Sequence, residues 1–304
     1  MTLDADLYVD RRRLKRRLLA WRLLALAAIV AAVLAAVGRV GLYPGATYVA
    51  RFEVDGIILQ DTKRDELLTD LADDDRVKAV IVSIDSPGGS FVGGESLYAR
   101  LRDIAAKKPV VAIMAGTATS AGYMAALGAE HIIAHQGTLT GSIGVILQTA
   151  DVTGLLDKIG IKPETFKSGP LKAQPNPFEK LTPNVREATQ NVIEDLFGLF
   201  VDLVAERRNM PRDKVLGIAD GRVFSGRQAK DLGLIDGLGG EPEAREWLAE
   251  THAIGTDVPI KAVTVKRERE LVRDLLEGAI GKALFSERLR LDGVISVWHP
   301  VLWQ

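Results

Sequence analysis

Two loops of small residues and a pair of lysines hold the chemistry available to this sequence. Ser120 lies in MAGTATSAGYMAALGAE (residues 114–130), crowded by Ala, Gly and Thr and followed by residues at helical spacing. A serine at the start of a helix is commonly an N-cap. It is also where a nucleophile would stand if the helix's positive end and the Ala121 N–H stabilised a tetrahedral oxyanion. The second loop is DSPGGS (residues 85–90). Pro87 has no N–H to give, but Gly88 and Gly89 can present theirs without side-chain obstruction. That suits an oxyanion hole. It equally suits an ordinary Gly-rich turn. The phosphate-loop pattern GxxxxGK[ST] is not matched.

A serine nucleophile needs a base. Cysteine is absent, which excludes a thiolate, a disulfide and a cysteine metal site. None of His131, His135, His252 and His299 falls in an HExxH pair, so no metal is expected. His131 and His135 flank IIA in a predicted strand soon after Ser120, where a structural role is expected. The other candidates are Lys167 and Lys172 in KSGPLKAQPNPF (residues 167–178), an irregular Gly/Pro-rich stretch. A lysine base must be neutral, hence buried or beside another cation. Residue type does not choose between the two, and either could be a solvated surface lysine.

The elements that must position these groups alternate between strand and helix. TYVARFEV (47–54) reads as a half-buried strand turned by Asp55-Gly56, and RDELLTDLADD as a helix. VKAVIVSI is a β-branched run buried on both faces, ending before the DSPGGS loop. A helix over 92–107, a strand at PVVAIMA, a helix from Ser120 and a strand at HIIAH follow. This alternation predicts parallel βαβ units, with the loops at the carboxyl end of one sheet. A long amphipathic helix spans 184–208, a short helix lies in DGRVFSGRQAKDLGLIDGLGG, and 258–265 and 267–281 read as strand and helix. The helix over 184–208 serves either core packing or an interface.

The net charge of −1 offers no basic field for nucleic acid, and 47% hydrophobic residues are enough for a real core. The sharp break is N-terminal, where DRRRLKRR (10–17) precedes the uncharged LLALAAIVAAVLAAVG (23–38). The pattern predicts a basic cytoplasmic segment (1–22), a membrane anchor (23–40) and a linker (41–46). A catalytic domain (47–250) and a C-terminal extension (251–304) follow. A cleaved signal peptide is the competing reading, but Arg39 directly after Gly38 gives no small-x-small cleavage site.

Together, VDGIIL, SIDSPGGS, KPVVAIMAGTATSAGYMAA, TLTGSIGVI, KSGPLKA and IADGRVFSGRQAKDLGLIDGLGG resemble the signal peptide peptidases of the SppA type, short form. They do so in consistent order over residues 48–245. The resemblance implies an α/β fold of repeated ββα units, of the Clp peptidase/crotonase-like kind, behind an N-terminal transmembrane helix. It implies a serine endopeptidase that degrades remnant signal peptides or other hydrophobic peptides, with Ser120 as nucleophile. It selects Lys172 as general base, three residues after Gly169, over Lys167. It assigns the oxyanion hole to Gly88 and Ala121 with Gly89 in support, and gives Ser142 an auxiliary role orienting the lysine amine. No metal or cofactor is implied. A homo-oligomeric ring is, in which neighbouring subunits share serine and lysine, on the outer face of the cytoplasmic membrane. One departure is Ala121-Gly122 where many members have Gly-Gly. The competing functions are a non-catalytic membrane quality-control scaffold and a crotonase-like acyl-CoA enzyme. The apolar tail ISVWHPVLWQ (295–304) is expected to dock into a neighbour's groove or to pack on the sheet or membrane.

Overall fold

The protein is described, as a computed structural model, over residues 17–32 and 47–265 and, for its backbone alone, 295–297. Residues 17–32 form helix α1, whose Leu18, Trp21, Leu23 and Ile29 are exposed. Among the described residues no helix is long and apolar enough to cross a membrane. Part of the expected anchor (residues 33–40) and the helix expected over 267–281 lie outside the described residues.

The globular part begins with β1 (Tyr48–Ile58), α2 (Thr62–Asp73) and β2 (Val77–Ser90), and the two strands pair in parallel. After α3 (Phe91–Ala105), β3 (Val110–Thr119) adds in parallel to β2, and β8 (Ile260–Val263) adds to the far side of β1. Beyond β3 the sheet forks. Its first half pairs β4 (His131–Ala134) and its second half pairs β5 (Leu139–Gly141), both parallel. β6 (Val223–Ser225) closes the β5 edge antiparallel, and β7 (Gly237–Leu238) adds to β4.

The β-branched run of β2 is buried on both faces, as its unbroken apolar sequence requires. Val80, Val82 and Ile84 face the main core with Leu97, Leu101, Met114 and Met124. Ala79 and Ile81 face a second cluster with Ala244 and Leu248 of α9 (Glu241–His252).

Two sequence expectations are corrected here. Asp55-Gly56 does not turn the chain: β1 runs on to Ile58, and DSPGGS is the continuation of β2 to Ser90 rather than a loop. The pairing passes from Asp55↔Asp85 to Ile57↔Gly88, so β2 carries one extra residue around Pro87. Proline cannot donate to the ladder, and a bulge is where a strand accommodates it. The long helix α6 (Pro183–Arg207) is present. It buries Val185, Phe200, Val201 and Val204, the last three in the core, while Val192 and Leu199 are exposed.

Candidate active site

β3 delivers Ser120 to the mouth of the fork. Thr119 pairs with Gly141, and the Ser120 N–H donates to the Gly141 carbonyl at 2.9 Å. Ser120 itself is bent sharply, with φ 56° and ψ −118°, and α4 (Ala121–Ala126) begins at the next residue. A non-glycine residue at such a φ is held against its preference by its surroundings, a feature of strand-to-helix nucleophile turns. The side chain is 1% exposed, and its Oγ has no hydrogen-bond partner. It does not serve as a side-chain cap for α4, which removes the N-cap reading. Six residues are too few for a macrodipole argument, so what α4 supplies is individual N–H groups. Ala121 is its first residue, and no helical carbonyl reaches that N–H.

Ala121 is accommodated because its neighbour on α3 is glycine. A Cβ added at Gly94 would lie 2.9 Å from the Ala121 Cβ. At Gly122 it would lie 3.1 Å from the Ser86 carbonyl, which keeps that position small.

The Gly88–Gly89 segment lies against the same turn. Ser86 pairs with Ala118, and the Thr119 hydroxyl donates to the Pro87 carbonyl at 2.9 Å. The Asp85 carboxylate accepts the Thr117 N–H at 2.9 Å. Gly88 has φ 122°, and its N–H donates to Ser86 Oγ at 3.1 Å. Gly89 is forced by packing, since any Cβ there would fall 1.8 Å from the Ile58 carbonyl oxygen. Beyond Ser86 the β3-side edge of β2 is taken by β9 (Ile295–Val297), antiparallel, with Gly88↔Val297 and Ser90↔Ile295. Residues 295–297, at the start of that tail, therefore pair with the site strand of their own chain, and the rest of the tail lies outside the described residues.

The two lysines part company. Lys167 is largely buried at its side chain and donates to Glu179 at 2.6 Å, and this bond holds the Glu179 carboxyl below its usual range. Such an ammonium is committed to an ion pair. Lys172 is exposed, and the unpartnered Ser120 Oγ means that the two are not hydrogen-bonded within one chain. Ser142 directly follows Gly141, whose carbonyl accepts the Ser120 N–H; it is buried with φ 50° and donates its N–H to the Arg222 carbonyl at 2.8 Å. The histidines are placed elsewhere. His131 stacks on Trp247 at 4.7 Å between ring centroids, and burial pushes its pKa down. His135 lines a cleft of about 490 Å³ with Arg51, Glu53, Glu241 and Glu243, which contains neither Ser120 nor Lys172. Among the described residues no group of acidic residues and histidines could hold a metal ion.

Sequence reasoning passed over Ser86 and Thr119, whose buried hydroxyls fix the Gly88 peptide. Their only signal is adjacency, one beside Pro87 and the other beside Ser120.

A family model described as Peptidase family S49 matches residues 102–255, and one described as Clp protease matches residues 59–140. A putative protease of Synechocystis is 38% identical over 231 residues, covering 76% of this chain and 83% of that protein. The chloroplastic serine protease SPPA of Arabidopsis thaliana is 33% identical over 234 residues, covering 76% of this chain and 34% of that protein. A putative signal peptide peptidase SppA of Enterococcus faecium is 34% identical over 196 residues, covering 64% of this chain and 56% of that protein.

Proposed function

Since this chain belongs to peptidase family S49 and is a serine peptidase of Clp-like α/β fold, we propose that Ser120 is its nucleophile and that Lys172, supplied by a second copy of the chain, is its general base. The observation that carries the reading is the buried, unpartnered Ser120 Oγ on a strained turn. A hydroxyl out of reach of water and with no partner is costly to keep unless it has a use. A lysine base has to be desolvated, and Lys172 in one chain is exposed. A second copy lying over the segment around it would supply both the burial and the missing partner. Exposed Leu155, Ile159, Phe166 and Phe178 in the same segment offer apolar surface for that contact, in keeping with a homo-oligomeric ring.

The reaction then runs as acyl transfer. A hydrophobic peptide lies as an antiparallel strand along Gly88–Ser90, the edge that residues 295–297 occupy in this chain. Neutral Lys172 takes the Ser120 proton as Oγ attacks the scissile carbonyl, and Ser142 helps to orient the amine. The Gly88 and Ala121 N–H groups stabilise the oxyanion, with Gly89 keeping the strand close to β1. Loss of one such donor typically costs about 10²–10³ in rate. Lys172 returns the proton to the leaving amine, and water hydrolyses the acyl-enzyme. No metal or cofactor enters this scheme.

The substrate we infer is a remnant signal peptide or similar apolar segment, in keeping with the name of the Enterococcus relative. The basic cluster and the uncharged run after it support anchoring in the cytoplasmic membrane, with the catalytic domain outside.

The test uses the full chain in detergent and a hydrophobic fluorogenic peptide. Ser120→Ala and Lys172→Ala should each abolish cleavage, and a mixture of the two inactive proteins should recover part of it. An active Lys172→Ala protein would sink the dyad. A mixture that stays inactive would sink the sharing between copies. Wild-type protein that neither cleaves nor takes a fluorophosphonate at Ser120 would favour the scaffold.

A further inference from the structure

The peptide unit joining Pro87 to Gly88 is held at both ends by buried hydroxyls. At its carbonyl end, Thr119 Oγ1 donates to the Pro87 oxygen at 2.9 Å. At its amide end, the Gly88 N–H donates to Ser86 Oγ at 3.1 Å, and the same hydroxyl approaches the Gly88 carbonyl at 3.2 Å. Ser86 and Thr119 are both wholly buried, so water does not compete for these bonds. The N–H that the proposed reaction needs for its oxyanion is thus already given to a neutral acceptor. One N–H serves one acceptor well, and the Gly88 side of the hole is shut at rest.

We propose that Ser86 and Thr119 are positioning residues that clamp the Gly88 peptide in this closed state and yield its N–H only as the oxyanion forms; the inference rests on the Ser120 reading above. The backbone can make the exchange. Gly88 stands at φ 122°, a conformation that glycine holds without strain, so turning the peptide breaks two hydrogen bonds and meets no Cβ. Flanking residues stay put, because Asp85 is fixed to Thr117 and Ser86 is paired with Ala118. The clamp remains closed with a strand paired along residues 88–90, so occupation of the edge does not open it. Developing charge does: an oxyanion is a stronger acceptor than a hydroxyl. The donor then serves the transition state and not the ground state, and breaking the clamp's bonds is a cost that the developing charge has to offset.

The clamp holds the resting enzyme back, and weakening it should speed attack. Full-length wild type, Ser86→Ala and the near-isosteric Thr119→Val are compared by the rate at which a fluorophosphonate labels Ser120. The phosphonyl adduct places an oxygen where the oxyanion forms. Each variant should label faster by about two- to tenfold, the range of one net neutral hydrogen bond. Each should also melt lower, with the pH dependence of labelling unchanged because the base is the same. A residue with a merely structural role would slow labelling as it lowers the melting temperature. Equal or slower labelling in a folded variant overturns the clamp. Should both variants fail to fold, the Gly88 amide resonance of wild type decides: it must shift on phosphonylation, and a fixed resonance overturns the proposal. Wild type that takes no label at Ser120 removes the reading of the site itself, a different result from wild type that labels and variants that do not gain.

Discussion

The two halves of the proposed dyad stand in opposite kinds of structure. Around Ser120, residues 85–90 and 117–121 are cross-bonded, and Ser86, Ser90, Thr119 and Ser120 are no more than 1% exposed. Around Lys172, residues 146–181 carry one short helix, α5 (Thr153–Lys158), that buries nothing, and Phe166 is 95% exposed. If the proposed roles hold, folding of one chain sets the nucleophile and its oxyanion donors, whereas the base waits on an outward-facing segment. On the reading proposed here, assembly activates the enzyme by burying an amine, and an isolated chain is safe to its surroundings.

The largest effect that would break this contrast concerns which lysine matters. Removing a general base typically costs about 10²–10⁴ in rate, so Lys172→Ala should lose activity on that scale in a hydrolysis assay. Lys167→Ala should keep kcat within severalfold, because its ammonium is tied to Glu179, which retains Gln174 and Asn176 as donors. If Lys167→Ala were the inactive variant, the exposed segment would be the site's ordered half, and the comparison would have to be reversed.

A second pair of variants sharpens the contrast through glycine. In Gly89→Ala the new Cβ would meet the backbone oxygen of Ile58 at 1.8 Å, and no side chain can move aside to relieve it. Overpacking of this kind costs about 1–3 kcal/mol or more, so melting should fall by several degrees and Ser120 labelling should collapse. Gly169→Ala, by contrast, places its Cβ with nothing within 4 Å. It should leave the melting temperature unchanged. A neutral Gly89→Ala would mean that β1 and β2 are not locked together at the site.

The same division decides what was legible in the sequence. The buried strands announce themselves by unbroken apolar runs, and α6 by its period, because burial of this kind is a property of consecutive residues. DSPGGS reads as a loop because its composition is that of a turn, while its strand partner at Ile57–Ile58 is remote in sequence. Ser86 and Thr119 were invisible for a related reason: their hydroxyls act across a register that only the folded sheet defines. The choice of Lys172 over Lys167 rested on family resemblance. What separates them physically is Glu179, twelve residues beyond Lys167, and no pattern of spacing points to that pair.

Acid sensitivity gives the smallest and most selective probe of the two halves. His131 lies on the core side, half-buried on β4 beside the strand that delivers Ser120: burial first, then the Lys230 and Arg208 cations, lowers its pKa from the ordinary 6.5, against the opposing pull of Asp236 and Glu130. A folded-state pKa below the unfolded one means that the unfolded chain binds more protons between them. Stability is therefore complete above the ordinary histidine value and is lost as pH falls from there toward the folded pKa. In the exposed half, Glu179 is shifted down by its bond to Lys167, so its contribution persists above the ordinary 4.5 and fades only below it. Cooling of the melting temperature between about pH 7.5 and about pH 5.5 should thus report the buried half alone. His131→Phe, which keeps an aromatic ring against Trp247 but cannot titrate, should flatten that interval, while Glu179→Gln should leave it as it was. A change that follows Glu179 in this range would mean that the segment bearing Lys172 melts with the core, and the independence assigned to it would be lost.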